Sequence, residues 1–197
     1  LTSIVSKLRR IGGIDRSIAE EVRRSLVETL YASSTSLGIG AVAGAGLSAA
    51  IALDTGDPWL GATAIAIALT GACRMAHAIF FHRVLGQDEA ESARSEVVYE
   101  LGAWAFAFLL GLLPLLTLLR SDNAVHHLLA ATLATGYAAG ICGRNAGRPV
   151  IAIGQLALAC TPFAVGLMLS GDTLRTVLGV MYIVFTIGMV DITLQTY

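Results

Sequence analysis

Along most of this chain apolar residues do not alternate with polar ones; they run together, and charges fall at the ends of the runs. An α-helix needs about 20 mostly apolar residues to cross roughly 30 Å of hydrocarbon. Six runs reach that length, at about 29–53, 59–81, 101–119, 125–143, 149–170 and 174–193. Several are divided by short stretches of Asp, Asn, Gly and Pro, residue types that cap helices and turn the chain. Hydrocarbon offers the peptide groups no partner, so a spanning segment must bond them internally, as a helix does. The pattern predicts an all-α polytopic membrane protein, with a six-helix transmembrane domain over 29–197 and a separate segment over 1–28.

That first segment follows a different rule. Ile14, Ile18, Val22 and Leu26 recur every four residues, while Arg16, Glu20, Arg23 and Arg24 occupy other faces. Ser17 and Glu20 have the spacing of a capping box, and Gly12-Gly13 breaks what precedes them. The reading is a short amphipathic helix lying on the membrane surface, or else a polar extension of the first span.

Composition agrees with the pattern. The chain is 55% hydrophobic and 14% charged, against about 25% charged in a typical soluble domain. Basic residues should gather on the cytoplasmic side. With the N-terminus inside, Lys7, Arg9, Arg10, Arg16, Arg23, Arg24, Arg74, Arg83, Arg94, Arg144 and Arg148 fall there, leaving only Arg120 and Arg175 outside. Both termini are therefore expected in the cytoplasm, with short external connections at 54–57, 120–123 and 171–173. No basic face suited to nucleic acid exists beyond the N-terminal segment.

Glycine-rich stretches need separate treatment, because "GIGAVA" (38–43) and "GAGLSA" (44–49) match a dinucleotide-loop spacing. Such a loop requires a strand before it and a helix start after it, where backbone N–H groups meet the phosphate. Both stretches instead lie inside the first apolar run. The expected role is packing: Gly40, Gly44 and Ser48 form one small-residue stripe, Ala103, Ala107 and Gly111 a second, and Gly136 with Gly140 a third. "GRNAGRP" (143–149) then reads as a cytoplasmic hairpin between the fourth and fifth helices.

Ionisable groups inside a bilayer are costly, so Arg74 and Asp191 need an account. Each precedes the inner end of its span by roughly two turns, and the expectation is an ion pair or shared polar network between the second and sixth helices. The alternative is that Arg74 snorkels to the headgroups while Asp191 reaches water. Cys73, Cys142 and Cys160 form no CxxC pair and read as small buried apolar residues. His77 and His82 lie toward one side, His126 and His127 toward the other, so a bis-histidine haem would have to join different depths. No nucleophile elbow, P-loop or HExxH occurs; Gln155, Thr161, Tyr182 and Thr186 appear singly. Pro114 and Pro162 interrupt two helices without a repeat of the kind transporters carry. No catalytic, cofactor or metal residues are assigned.

The stretches "TGDPWLGA" (55–62), "YELGAWAFAFLLGLL" (99–113), "GYAAGICGRNAGRP" (136–149) and "DITLQTY" (191–197) resemble the N-terminal membrane region of alphaproteobacterial GGDEF/EAL signalling proteins. The resemblance runs from about Ser25 onward. It implies a sensory or anchoring module in the bacterial inner membrane, with cyclic di-GMP synthesis or breakdown in cytoplasmic domains following Tyr197. Gly12-Gly13-Ile14-Asp15 shares only its glycines with a GGDEF loop, and no EAL tripeptide occurs, so no catalytic residue is carried over. Expected partners are the lipid bilayer and a second copy of the chain. A non-catalytic accessory subunit of a larger respiratory or photosynthetic complex would need the same features.

Overall fold

In the computed structural model, the described residues are 34–84, 89–145 and 148–196. They form six helices: α1 Ser34–Thr55, α2 Pro58–Val84, α3 Glu89–Arg120, α4 Ala124–Arg144, α5 Pro149–Leu169 and α6 Thr173–Thr196. All six are long and apolar enough to cross a membrane, and no strand occurs among the described residues. The amphipathic helix expected within the segment 1–28 lies outside them.

The turns form where their residues predict. Asp57 Oδ1 accepts from the amides of Trp59 and Leu60 at the start of α2, with Pro58 in the first position, where its missing N–H costs nothing. Asn123 accepts from the Val125 amide ahead of α4, and Asp172 from the Leu174 and Arg175 amides ahead of α6. Each of these turns thus satisfies helix-start donors that otherwise lack a partner. Gly56 and Gly171 hold φ of 63° and 71°, the left-handed conformation that glycine adopts without steric cost.

One boundary differs. The apolar run predicts a third helix from residue 101, yet α3 is helical from Glu89. Residues 89–100 hold Glu89, Glu91, Arg94, Glu96 and Glu100; charge ends an apolar run, but Glu, Arg and Ala are strong helix formers. The helix therefore continues past the hydrocarbon.

Successive helices reverse direction, so the chain alternates between two ends. One carries Asp54, Asp57, Asp122 and Asp172 and is called the acidic end; the other carries Arg74, Arg144 and Arg148 and is called the basic end. α1 packs on α2, α2 on α3, α3 on α5 and α5 on α6, while α4 touches α1, α3, α5 and α6. Phe106, Leu110, Leu113, Ile51, Leu60 and Ile67 fill one half of the interior. Leu156, Phe163, Leu167 and Tyr182 fill the other, with the Phe163 and Tyr182 rings edge to face at 5.2 Å. Outward, α6 exposes Leu174, Val177, Met181, Val184 and Ile187, an apolar surface that lipid accommodates and water does not.

Small residues close some seams and not others. A Cβ at Gly111 would stand 2.5 Å from the Leu158 carbonyl oxygen and 2.6 Å from that of Ala159. Pro162, inside α5, lacks the N–H that would bond the Leu158 carbonyl, so α3 packs its glycine against the freed oxygen. Ala103 and Ala107 are buried on the same helix, and Gly44 meets Ile67 and Phe106. Gly40, Gly136 and Gly140 correct the expectation of packing stripes: nothing lies within 4 Å of where their Cβ atoms would be. Spacing places residues on a common face without saying what that face meets. Gly154, under the Trp104 indole, and Gly179, against Met168 and the Ala164 carbonyl, are close-approach positions that spacing did not single out.

Candidate functional site

The polar groups that meet across helices form two clusters, one at each end, with α4 common to both. At the acidic end, the last turn of α1 supplies Asp54, the α3–α4 connection supplies Ser121, and the first turns of α4 supply His126. The His126 imidazole lies between the other two, with Nδ1 2.8 Å from Ser121 Oγ and Nε2 2.8 Å from Asp54 Oδ2. The Asn123 amide donates to Ser121 Oγ; with a neutral ring protonated on Nε2, the Ser121 hydroxyl donates to Nδ1 and the ring N–H faces the carboxylate. That tautomer satisfies every group at once. His126 is buried, whereas the Asp54 side chain is 69% exposed, so the clasp joins a fixed ring to a carboxylate at the surface. His127 Nε2 lies 2.7 Å from the Ser121 carbonyl. Beside them Arg120 stands 4.0 Å from Asp57 and over the Trp59 ring at 5.8 Å.

The basic end is built differently. Gln155 of α5 is fully buried; its amide nitrogen donates to the Tyr137 hydroxyl at 2.8 Å and to the Ala103 carbonyl at 3.4 Å. Its oxygen accepts from the side-chain amide of Asn145, and the Tyr99 hydroxyl donates to Asn145 Oδ1 at 3.4 Å. Asn145 also closes α4, its backbone amide bonded to the Ile141 carbonyl. Three helices are thereby joined through side chains whose hydrogen-bonding groups are paired, the condition for burying amides at tolerable cost. Between the clusters α4 meets α6 twice: Thr135 Oγ1 lies 3.3 Å from the Tyr182 hydroxyl, and Cys142 Sγ lies 3.5 Å from the Met189 carbonyl.

Arg74 and Asp191 are not brought together. α2 packs on α1 and α3, and α6 on α5 and α4, so the two residues sit on different flanks of the bundle. The Arg74 guanidinium lies 5.0 Å from the Phe106 ring centre and 6.0 Å from that of Tyr99. Its stem runs past Gly102, where a Cβ would stand 3.2 Å from Arg74 Cγ. Asp191 bonds the Gln195 side chain one turn on. The expected pair rested on matched depth; rotation about each helix axis decides partners, and depth does not report it.

Cys142 and Cys160 are buried and Cys73 is exposed, all as free thiols; Cys73 thus departs from the buried role expected of it. Among the described residues no three His, Cys, Asp or Glu side chains gather as a metal set. Sequence reading missed the Ser121–His126–Asp54 relay, since its members lie up to 72 positions apart and each has an ordinary role at a helix end. It also treated Gln155 and Tyr182 as isolated, whereas each bonds a side chain of α4. No protein-family model matches the chain, and neither a curated protein nor a solved structure matches it.

Proposed function

We propose that this chain is the membrane sensory and anchoring module of a bacterial cyclic di-GMP signalling protein, set in the inner membrane with both termini in the cytoplasm. Beyond the resemblance of its motifs, the observation that carries the reading is the position of α4. Its first turns are clasped to α1 through His126 and Asp54, and its later turns bond α6 through Thr135 and Cys142. A stimulus at the acidic end, on the outer side in this reading, displaces α4 and with it α6, whose far end leads toward the output. Such a stimulus acts only through different affinities for two packings of the helices.

The test is to express the full-length protein in a host with low cyclic di-GMP and to measure the nucleotide with the wild type and with His126→Ala. The wild type is expected to change the cellular level, and the variant to alter that change at equal membrane abundance. A full-length gene that encodes no cytoplasmic catalytic domain, together with co-purification at fixed stoichiometry with a respiratory or photosynthetic complex, would replace this reading with that of an accessory subunit.

A further inference from the structure

Two arginines at the basic end stand apart from the bonded cluster beside them. In both Arg74 and Arg144, Nε and Nη2 are buried without a hydrogen-bond partner. These two nitrogens form one edge of the guanidinium, the fork that matches a carboxylate or phosphate with two parallel bonds. Shielding that edge from water with nothing opposite it is costly, because a buried charge is tolerated when it is paired and bonded. The rings near Arg74 ease its burial by cation–π attraction but accept no N–H bond of the kind the fork offers. No carboxylate supplies one either: Nε and Nη2 of both arginines lack any hydrogen-bond partner, and Asp191 takes the Gln195 amide.

The two arginines are connected through Tyr99. Arg74 Cζ lies 6.0 Å from its ring centre, and its hydroxyl reaches Asn145, the residue that follows Arg144. Arg144 is the last residue of the apolar span of α4, and Tyr99 lies in the first turn of that of α3, so the group sits near the membrane boundary. Lipid phosphates lie at that depth. We propose that the basic end binds a phosphate group through the open guanidinium edges of Arg144, at the boundary, and Arg74, deeper in the bundle. The phosphate is a lipid headgroup or a free anion; the same fork serves both. This does not depend on the signalling reading.

Thermal unfolding of the intact chain, delipidated in a neutral detergent, tests the site in two arms at matched ionic strength: titration with inorganic phosphate, and titration with phosphatidylglycerol. The wild-type midpoint is expected to rise by about 5 °C near saturation in at least one arm, and the arm that responds identifies the source. Arg74→Met with Arg144→Met should remove that rise while leaving the ligand-free midpoint equal or higher, since a buried fork without hydrogen bonds has been replaced by an apolar chain. Arg74→Lys with Arg144→Lys keeps the charge but loses the fork, and should weaken the apparent affinity about tenfold. A wild type that responds in neither arm overturns the proposal whatever the variants do. So does a rise that the Met or Lys variants retain in full.

Discussion

At the acidic end the polar groups sit in turns, where Asp57, Asn123 and Asp172 cap the helices that follow and a single clasp through His126 crosses from α4 to α1. At the basic end they are buried between the helices, where Gln155 draws Tyr137, the helix-closing Asn145 and the Ala103 carbonyl together out of contact with water. The difference teaches where each end can give way. A capped turn keeps its local bonds when a neighbouring helix shifts, so at the acidic end α4 can move away from α1 by releasing one exposed carboxylate. A buried amide network is either complete or strongly penalised, because each abandoned donor or acceptor retains its desolvation cost. The basic end is therefore the fixed end of the bundle and the acidic end the adjustable one, with α4 belonging to both.

Substitutions can break that comparison, beginning with the seam between α3 and α5. Gly111→Leu drives a branched side chain into the Leu158 and Ala159 carbonyls and is expected to cost about 3 kcal/mol or more, read as loss of thermal stability in detergent. Gln155→Leu keeps the volume but strands Asn145 and Tyr137; a loss of about 2 kcal/mol is expected. If this variant proves as stable as the wild type, the basic end is not the fixed one. His126→Ala removes a bond to a largely exposed carboxylate and one to Ser121, and should cost about 1 kcal/mol. Hydrogen exchange should become faster in the first turns of α4, while the Gln155 network around Asn145 stays intact. Gly140→Ala sharpens the comparison from the other side. With open space at that position, it should stabilise α4 by up to about 1 kcal/mol, whereas a packing glycine would lose stability.

The helices were legible because hydrocarbon imposes a length and an apolar content that few other structures need, and the acidic-end turns because Asp, Asn, Gly and Pro act locally. What escaped depends on how each helix is rotated. Gly111, Gly136 and Gly140 are alike in sequence, yet only the first faces a carbonyl freed by a proline on another helix. Arg74 and Asp191 match in depth, but they occupy different flanks. The start of α3 was missed for a local reason, since residues 89–100 propagate a helix while interrupting the hydrophobic signal. Ser121, His126 and Asp54 assemble only after α1 and α4 are packed, and their separation in sequence carries no trace of it.

Cysteine accessibility tests the placement of the two ends most directly. In a background with Cys73, Cys142 and Cys160 replaced by alanine, single Asp122→Cys and Gly143→Cys variants occupy exposed positions at the acidic and basic ends. In sealed vesicles of one orientation, a membrane-impermeant maleimide should label one of the two before lysis and the other only afterwards. Equal labelling of both in intact vesicles would put the ends in a single aqueous compartment and contradict a bundle that crosses the bilayer.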